Sequence, residues 1–131
     1  MKKKIVLDSF ALLAYLKKEA GSEKVKKLLA DNDVHALIND INVGETYYII
    51  ARERGLNQAD YFTDTIMPSM PITPLANALH DVIEAARIKA KYSLSYADCF
   101  AVATSYRERA PLITGDPEFR KVQDIIEIDW L

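Results

Sequence analysis

Cysteine is almost missing from the 131 residues: Cys99 stands alone, which excludes an internal disulfide framework and any cysteine-rich zinc site, and fits a reducing, cytoplasmic setting. Glycine and proline are scarce as well, at four and five residues, so the chain is neither collagen-like nor a low-complexity linker. The only histidines, His35 and His80, lie far apart, and His80 sits beside Asp81 on a polar helix, which argues against a metal-free ribonuclease built on a histidine pair. No uncharged stretch reaches the roughly 18–20 residues of a membrane span, so no membrane partner is expected. The basic Met1-Lys2-Lys3-Lys4 start is followed by an apolar run that Asp8 interrupts, and no secretion signal is expected. Neither sign of charge dominates: 17 Lys and Arg face 19 Asp and Glu, and binding to nucleic acid would need a local basic patch.

What is present is the composition of a folded domain, 50% hydrophobic and 27% charged, of a length that suits one domain over residues 1–131. Ile5-Val6-Leu7 reads as a buried strand feeding a helix over 9–19, with apolar residues at 10, 12, 13 and 16 and Gly21 as its stop. Ser22 is placed to cap a surface helix over 23–30. A strand over 34–38 precedes a helix over 42–54 that ends at Gly55, and a further helix is expected over 58–67. Pro68, Pro71 and Pro74 punctuate a short extended piece at Ile72-Thr73 before a helix over 75–91. Ser95 caps a helix to about Arg109, Pro111 to Thr114 forms a strand, and Ile125 to Ile128 forms the last one. Strands alternating with helices imply an α/β domain with a mainly parallel sheet covered on both faces.

Four acids then stand out by isolation. Asp8 is the only charged residue between Lys4 and Lys17, Glu45 between Asp40 and Arg52, Asp98 between Lys91 and Arg107, and Asp116 between Arg109 and Glu118. A carboxylate in a segment claimed by the core has to be protonated, hydrogen-bonded, paired or bound to a metal. Each also has a purely structural explanation. Asn42-x-x-Glu45 and Ser95-x-x-Asp98 have capping-box spacing, Asp8 can cap the helix after it, and Gly115-Asp116-Pro117 is turn chemistry. Caps do not, however, require all four to fall at one sheet edge, where parallel α/β domains bind ligands. A cluster of hard oxygen donors suits Mg²⁺ or Mn²⁺, and the chemistry such clusters most often serve is phosphodiester hydrolysis.

Ile5-Val6-Leu7-Asp8-Ser9, Asn42-Val43-Gly44-Glu45, Ser95-Tyr96-Ala97-Asp98 and Leu112-Ile113-Thr114-Gly115-Asp116 with Phe119 resemble, in order and spacing over nearly the whole chain, the successive motifs of PIN-domain ribonucleases, particularly VapC-type toxins. The resemblance implies a three-layer α/β/α domain and an endoribonuclease dependent on Mg²⁺ or Mn²⁺. Asp8, Glu45, Asp98 and Asp116 would be the catalytic, metal-holding quartet, and the Ser9 and Thr114 hydroxyls would orient a carboxylate or water. It further implies an RNA substrate, a small antitoxin as inhibitor and a homodimer. Pro117 and Glu118 depart from the most regular form of the fourth motif, and Glu118 is expected to be solvated.

Other residues are assigned no chemistry. Cys99 belongs with the core, and the cations at helix ends, among them Arg52, Arg54, Arg87, Arg107 and Arg109, complement helix dipoles. Tyr47, Tyr48, Tyr92 and Tyr96 are expected to pack between helices. Two other functions stay open at this level, a DNA nuclease or RNA-processing factor on the same fold, and a non-catalytic interaction module whose acids are only caps.

Overall fold

The strands form because short β-branched runs alternate between two covered faces. In the computed structural model, which describes residues 2–131 and so leaves out Met1 of the basic N-terminal run, β1 (Lys3–Leu7) sends Ile5 and Leu7 to one face and Val6 to the other. β2 (Val34–Asn39) and β4 (Leu112–Thr114) repeat the pattern, with Ala36, Ile38 and Ile113 joining the first face and Leu37 and Leu112 the second. With β3 (Ile72–Leu75) and β5 (Ile128–Trp130) they make one five-stranded sheet, ordered β3-β2-β1-β4-β5 and parallel throughout.

Helices cover both faces, as the apolar strands require. On the Ile5 face lie α1 (Ser9–Lys17), α2 (Ser22–Ala30) and a helical run made of α4 (Leu56–Tyr61), a π-helical turn (Phe62–Ile66) and α5 (Met67–Ser69), which contribute Ala11, Leu12, Val25, Phe62 and Met67 to that core. On the other face lie α6 (Leu79–Lys91) and α7 (Tyr96–Glu108). Every residue of α7 from Cys99 to Ser105 is buried, because it packs against α6, α3 (Asp40–Arg54) and the sheet at once. The result is the α/β/α layering expected from the sequence.

Several boundaries differ from expectation, each for a local reason. α1 ends before Gly21: Lys18 adopts the left-handed conformation (φ 55°) and donates its N–H to Ala14 and Tyr15 carbonyls. Gly21 (φ 90°) instead opens α2, so Ser22 is the first helical residue and not the cap. α3 begins at Asp40 with Asn39 as its cap, two residues ahead of the expected start. Helix α6 starts at Leu79, because Pro74 and Leu75 are drawn into β3, paired with Ile38 and Asn39 at the sheet edge where a missing N–H is tolerated. The last strand is displaced to 128–130, since Ile125 and Ile126 turn back to bond the Val122 carbonyl after a 3₁₀ helix (Pro117–Val122).

Strand order positions the site. β1 and β4 lie side by side while the connection from β1 runs toward β2 and that from β4 toward β5, the switch point at which parallel α/β sheets open a crevice beyond their carboxyl ends. The register pairs Leu7 with Ile38 on one side and with Ile113 on the other. Asp8, Asn39 and Thr114 therefore stand in a row at the edge of that crevice.

Candidate active site

Asp8 leaves β1 in extended conformation and caps α1, its Oδ1 accepting the Ala11 N–H at 2.8 Å. Its Oδ2 accepts the Thr114 hydroxyl at 2.6 Å across 106 residues of sequence. The same hydroxyl accepts the Asp116 N–H at 3.1 Å, which fixes its proton toward Asp8. Asp8 is only 2% exposed. Burial lifts its carboxyl from the ordinary 3.8 to about 7, against the pull of the Thr114 and Ala11 hydrogen bonds, and the charges of Asp98 and Asp116 add to the rise.

Asp98 sits in the first turn of α7, where Ser95 caps the helix by accepting the Asp98 N–H at 3.1 Å. Partial burial raises its carboxyl to about 6; the Ser95 hydroxyl opposes the rise, and the charges of Glu45, Asp116 and Glu118 reinforce it. Asp116 follows β4 and caps the 3₁₀ helix through the Glu118 N–H at 3.0 Å. Glu45 accepts the Ser9 hydroxyl at 2.6 Å. The fold thus brings Asp8, Glu45, Asp98 and Asp116 near enough to feel one another, with Ser9 and Thr114 bonded to two of them.

The structural explanations divide. Asp8 and Asp116 are caps and members of the cluster at once. The capping-box account of Glu45 fails, because Asn39 takes the cap, its Oδ1 accepting the Ile41 N–H at 2.9 Å, and Glu45 lies in the second turn. Asn42, no longer a cap, is fully buried and donates to the Ala97 carbonyl at 3.1 Å, tying α3 to the start of α7 beside Asp98, while its Oδ1 has no partner among the described residues. Glu118 is exposed and paired with Lys121, yet close enough to raise Asp98.

Sequence reasoning missed the amide network below the acids. Asn39 is buried and donates to Asn77 at 2.8 Å and to Thr104 at 3.0 Å, while Asn77 donates back at 3.0 Å. It holds the end of β2, the α6 approach and α7 together, and the end-of-strand position of an asparagine was its only signal. Most of the residues set aside behave as structure: Cys99 is buried, Tyr47 donates to Asp60, Tyr92 donates to Asp124, Arg52 lies over the Tyr48 ring and Arg107 pairs with Asp81 and Glu84, whereas Tyr48 and Tyr96, expected to pack between helices, are nearly half exposed.

The donor set is all oxygen and mutually repulsive, the electrostatic condition that a hard divalent cation relieves. Among the described residues, no group of three or more His, Cys, Asp or Glu side chains is arranged to close around one ion. The oxygen-only donor chemistry is of the kind a hard divalent cation takes, without three of the acids being placed around one point.

Together the layers and the acids at the switch point define a parallel α/β/α domain with a carboxylate site. The chain belongs to the PIN domain family, whose model matches residues 5–125, and the members of that family are nucleases. No curated protein matches the sequence. The structure is similar to that of VapBC2 from Rickettsia felis bound to a promoter DNA fragment, at 17% identity, with 98% of this chain and 99% of that chain covered and a TM-score of 0.73. It is also similar to a toxin-antitoxin complex from Klebsiella pneumoniae, at 13% identity, 97% and 99% coverage and a TM-score of 0.70. A third likeness is to VapC20 of Mycobacterium tuberculosis, described as a sarcin-ricin loop cleaving toxin, at 16% identity, 95% and 98% coverage and a TM-score of 0.73. At these identities the likeness is one of fold. No helix among the described residues is long and apolar enough to cross a membrane.

Proposed function

We propose that this chain is a metal-dependent endoribonuclease of the VapC type, a toxin whose groove is closed by a small antitoxin. The observation that carries the reading is the gathering of Asp8, Glu45, Asp98 and Asp116, each isolated in an uncharged run, at the one sheet edge where such folds bind ligands. Membership of a nuclease family and structural likeness to toxin–antitoxin proteins support the toxin and antitoxin part of it.

In this reading the four carboxylates hold Mg²⁺ or Mn²⁺. When bound, the ion supplies Lewis-acid activation of water and offsets charge on the scissile phosphate, which leads to 5′-phosphate and 3′-hydroxyl ends. The chain's own groups set the geometry. Thr114 fixes the Asp8 carboxylate through Oδ2, the α1 N-terminus fixes it through Oδ1, and Ser9 fixes Glu45. Asn42 keeps α3 and α7, and with them Glu45 and Asp98, in register. Single-stranded RNA is the favoured substrate, since its backbone can be splayed over a shallow edge.

The test is cleavage of a labelled single-stranded RNA, and of the matching DNA, with EDTA, Mg²⁺ or Mn²⁺, beside purified Asp98→Asn. RNA cleavage that needs metal and vanishes in the variant is expected. Cleavage surviving EDTA or Asp98→Asn refutes the metal-site assignment, and cleavage of DNA alone replaces the substrate.

A further inference from the structure

Phe10 is out of its expected place. The apolar spacing of α1 grouped it with Leu12, Leu13 and Leu16, yet it is 42% exposed, two residues after Asp8. Its ring occupies the volume that a side chain at position 115 would fill: a Cβ there would lie 2.5 Å from Phe10 Cε1 and 3.0 Å from Cζ. The Gly115 backbone does not itself demand glycine, because the left-handed glycines are Gly21 and Gly55. Glycine at 115 serves to let the Phe10 ring lie against the chain between Thr114 and Asp116. An aromatic ring is thereby braced against the backbone between Thr114 and Asp116, with two fifths of the residue open to solvent.

We propose that Phe10 is a positioning residue that stacks on a nucleobase flanking the scissile phosphate of single-stranded RNA, an inference that rests on the ribonuclease reading. A base has a π-face whatever its identity, and a backed, exposed ring beside the phosphate-handling groups is the surface such a face needs. Tyr48 and Tyr96 are as exposed as Phe10, but each already carries a cation or ring contact. Tyr48 carries the Arg52 guanidinium 5.5 Å from its centroid, Tyr47 and Tyr92 spend their hydroxyls on Asp60 and Asp124, and Tyr96 packs edge-on to Phe100 at 5.1 Å. Phe10 has no polar atom, so it holds a base without reading its hydrogen-bonding edge and adds little sequence preference.

The experiment uses the full chain with Mn²⁺ and a short fluorescein-labelled single-stranded RNA of mixed sequence whose cut position is mapped first. Phe10→Leu, which keeps apolar bulk against Gly115 but has no ring, and Phe10→Tyr, which keeps the ring, are compared with the parent. A second RNA carries an abasic nucleotide beside the cut. Phe10→Leu is expected to lower kcat/KM about 5- to 100-fold, chiefly through KM, at an unchanged melting temperature, and Phe10→Tyr to restore it. The abasic RNA should cost the parent a similar factor and cost Phe10→Leu nothing further. If Phe10→Leu matches the parent, or its loss multiplies with that of the abasic RNA, the stacking role is overturned while the nuclease stands, and the exposed ring is left for a protein partner. If the parent makes no metal-dependent cut in RNA, the ribonuclease reading fails and this inference with it.

Discussion

Asp8 provides a sharp test of the site because its two states are separated by burial and not by a salt bridge. Its carboxyl is lifted to about 7 in the folded chain, against 3.8 in an exposed setting. Below about pH 4 both folded and unfolded chains hold the proton. Between that point and neutrality only the folded chain does, so stability contributed by the protonated acid is lost as pH rises and is gone above the folded-state value. The full shift corresponds to a ceiling of about 4 kcal/mol, a large share of the ~5–15 kcal/mol that holds a domain together. Asp98, raised to about 6, acts in the same direction, more weakly because it is partly solvated. Asn at position 8 keeps the Oδ1 that caps α1 and removes the titration. Urea unfolding of parent and Asp8→Asn in EDTA, from pH 4.5 to 8, isolates the effect, with its coupling to Asp98 and Asp116, as a difference in which the other groups cancel. The parent is expected to lose about 2–4 kcal/mol relative to the variant across that range, and Mg²⁺ or Mn²⁺ at pH 8 to return part of it only in the parent. Parallel pH profiles for the two proteins would refute the account of Asp8 as a buried, repelled acid.

Thr114→Val removes both the donor to Asp8 and the acceptor of the Asp116 N–H at nearly constant volume, and is expected to cost about 1–3 kcal/mol in urea unfolding at pH 7 and to raise the Asp8 titration further. Gly115→Ala puts a Cβ where the Phe10 ring lies; because the half-exposed ring can swing away, the expected cost in thermal or urea unfolding is below about 1 kcal/mol, and in Phe10→Ala the same change should be nearly free, a coupling that a double-mutant cycle measures directly. Asn39→Ala strips the α3 cap and leaves Asn77 without its buried partner, with an expected loss of about 2–3 kcal/mol and faster amide exchange at the start of α3.

Much of the candidate site was legible in the sequence, and the reason is specific. Asp8, Glu45, Asp98 and Asp116 advertise themselves because charge is costly inside apolar segments, and a one-dimensional pattern records that cost. What could not be read were choices between equivalent local signals. Asn39 and Asn42 both suit a helix cap, and pairing of β2 with β3 as far as Asn39 settled the helix start there, which removed the capping explanation of Glu45. Gly21 and Lys18 competed to end α1, and a lysine took the left-handed position. Ile125 and Ile126 look like a strand but lie in a turn, because β5 pairs with β4 in the register Leu112 to Ile128.

The sequence alone determined the alternation of strand and helix, the two-faced burial of the strands and which acids have no local partner, since these follow from periodicity and the cost of burying charge along a single stretch of chain. Only the tertiary structure decided that β1 lies between β2 and β4, that Asp8 and Thr114 share a hydrogen bond, and that Phe10 rests exposed on Gly115. The Asp8–Thr114 and Phe10–Gly115 contacts join residues more than 100 positions apart, and such register is set by how whole layers pack, a free energy that no local segment carries.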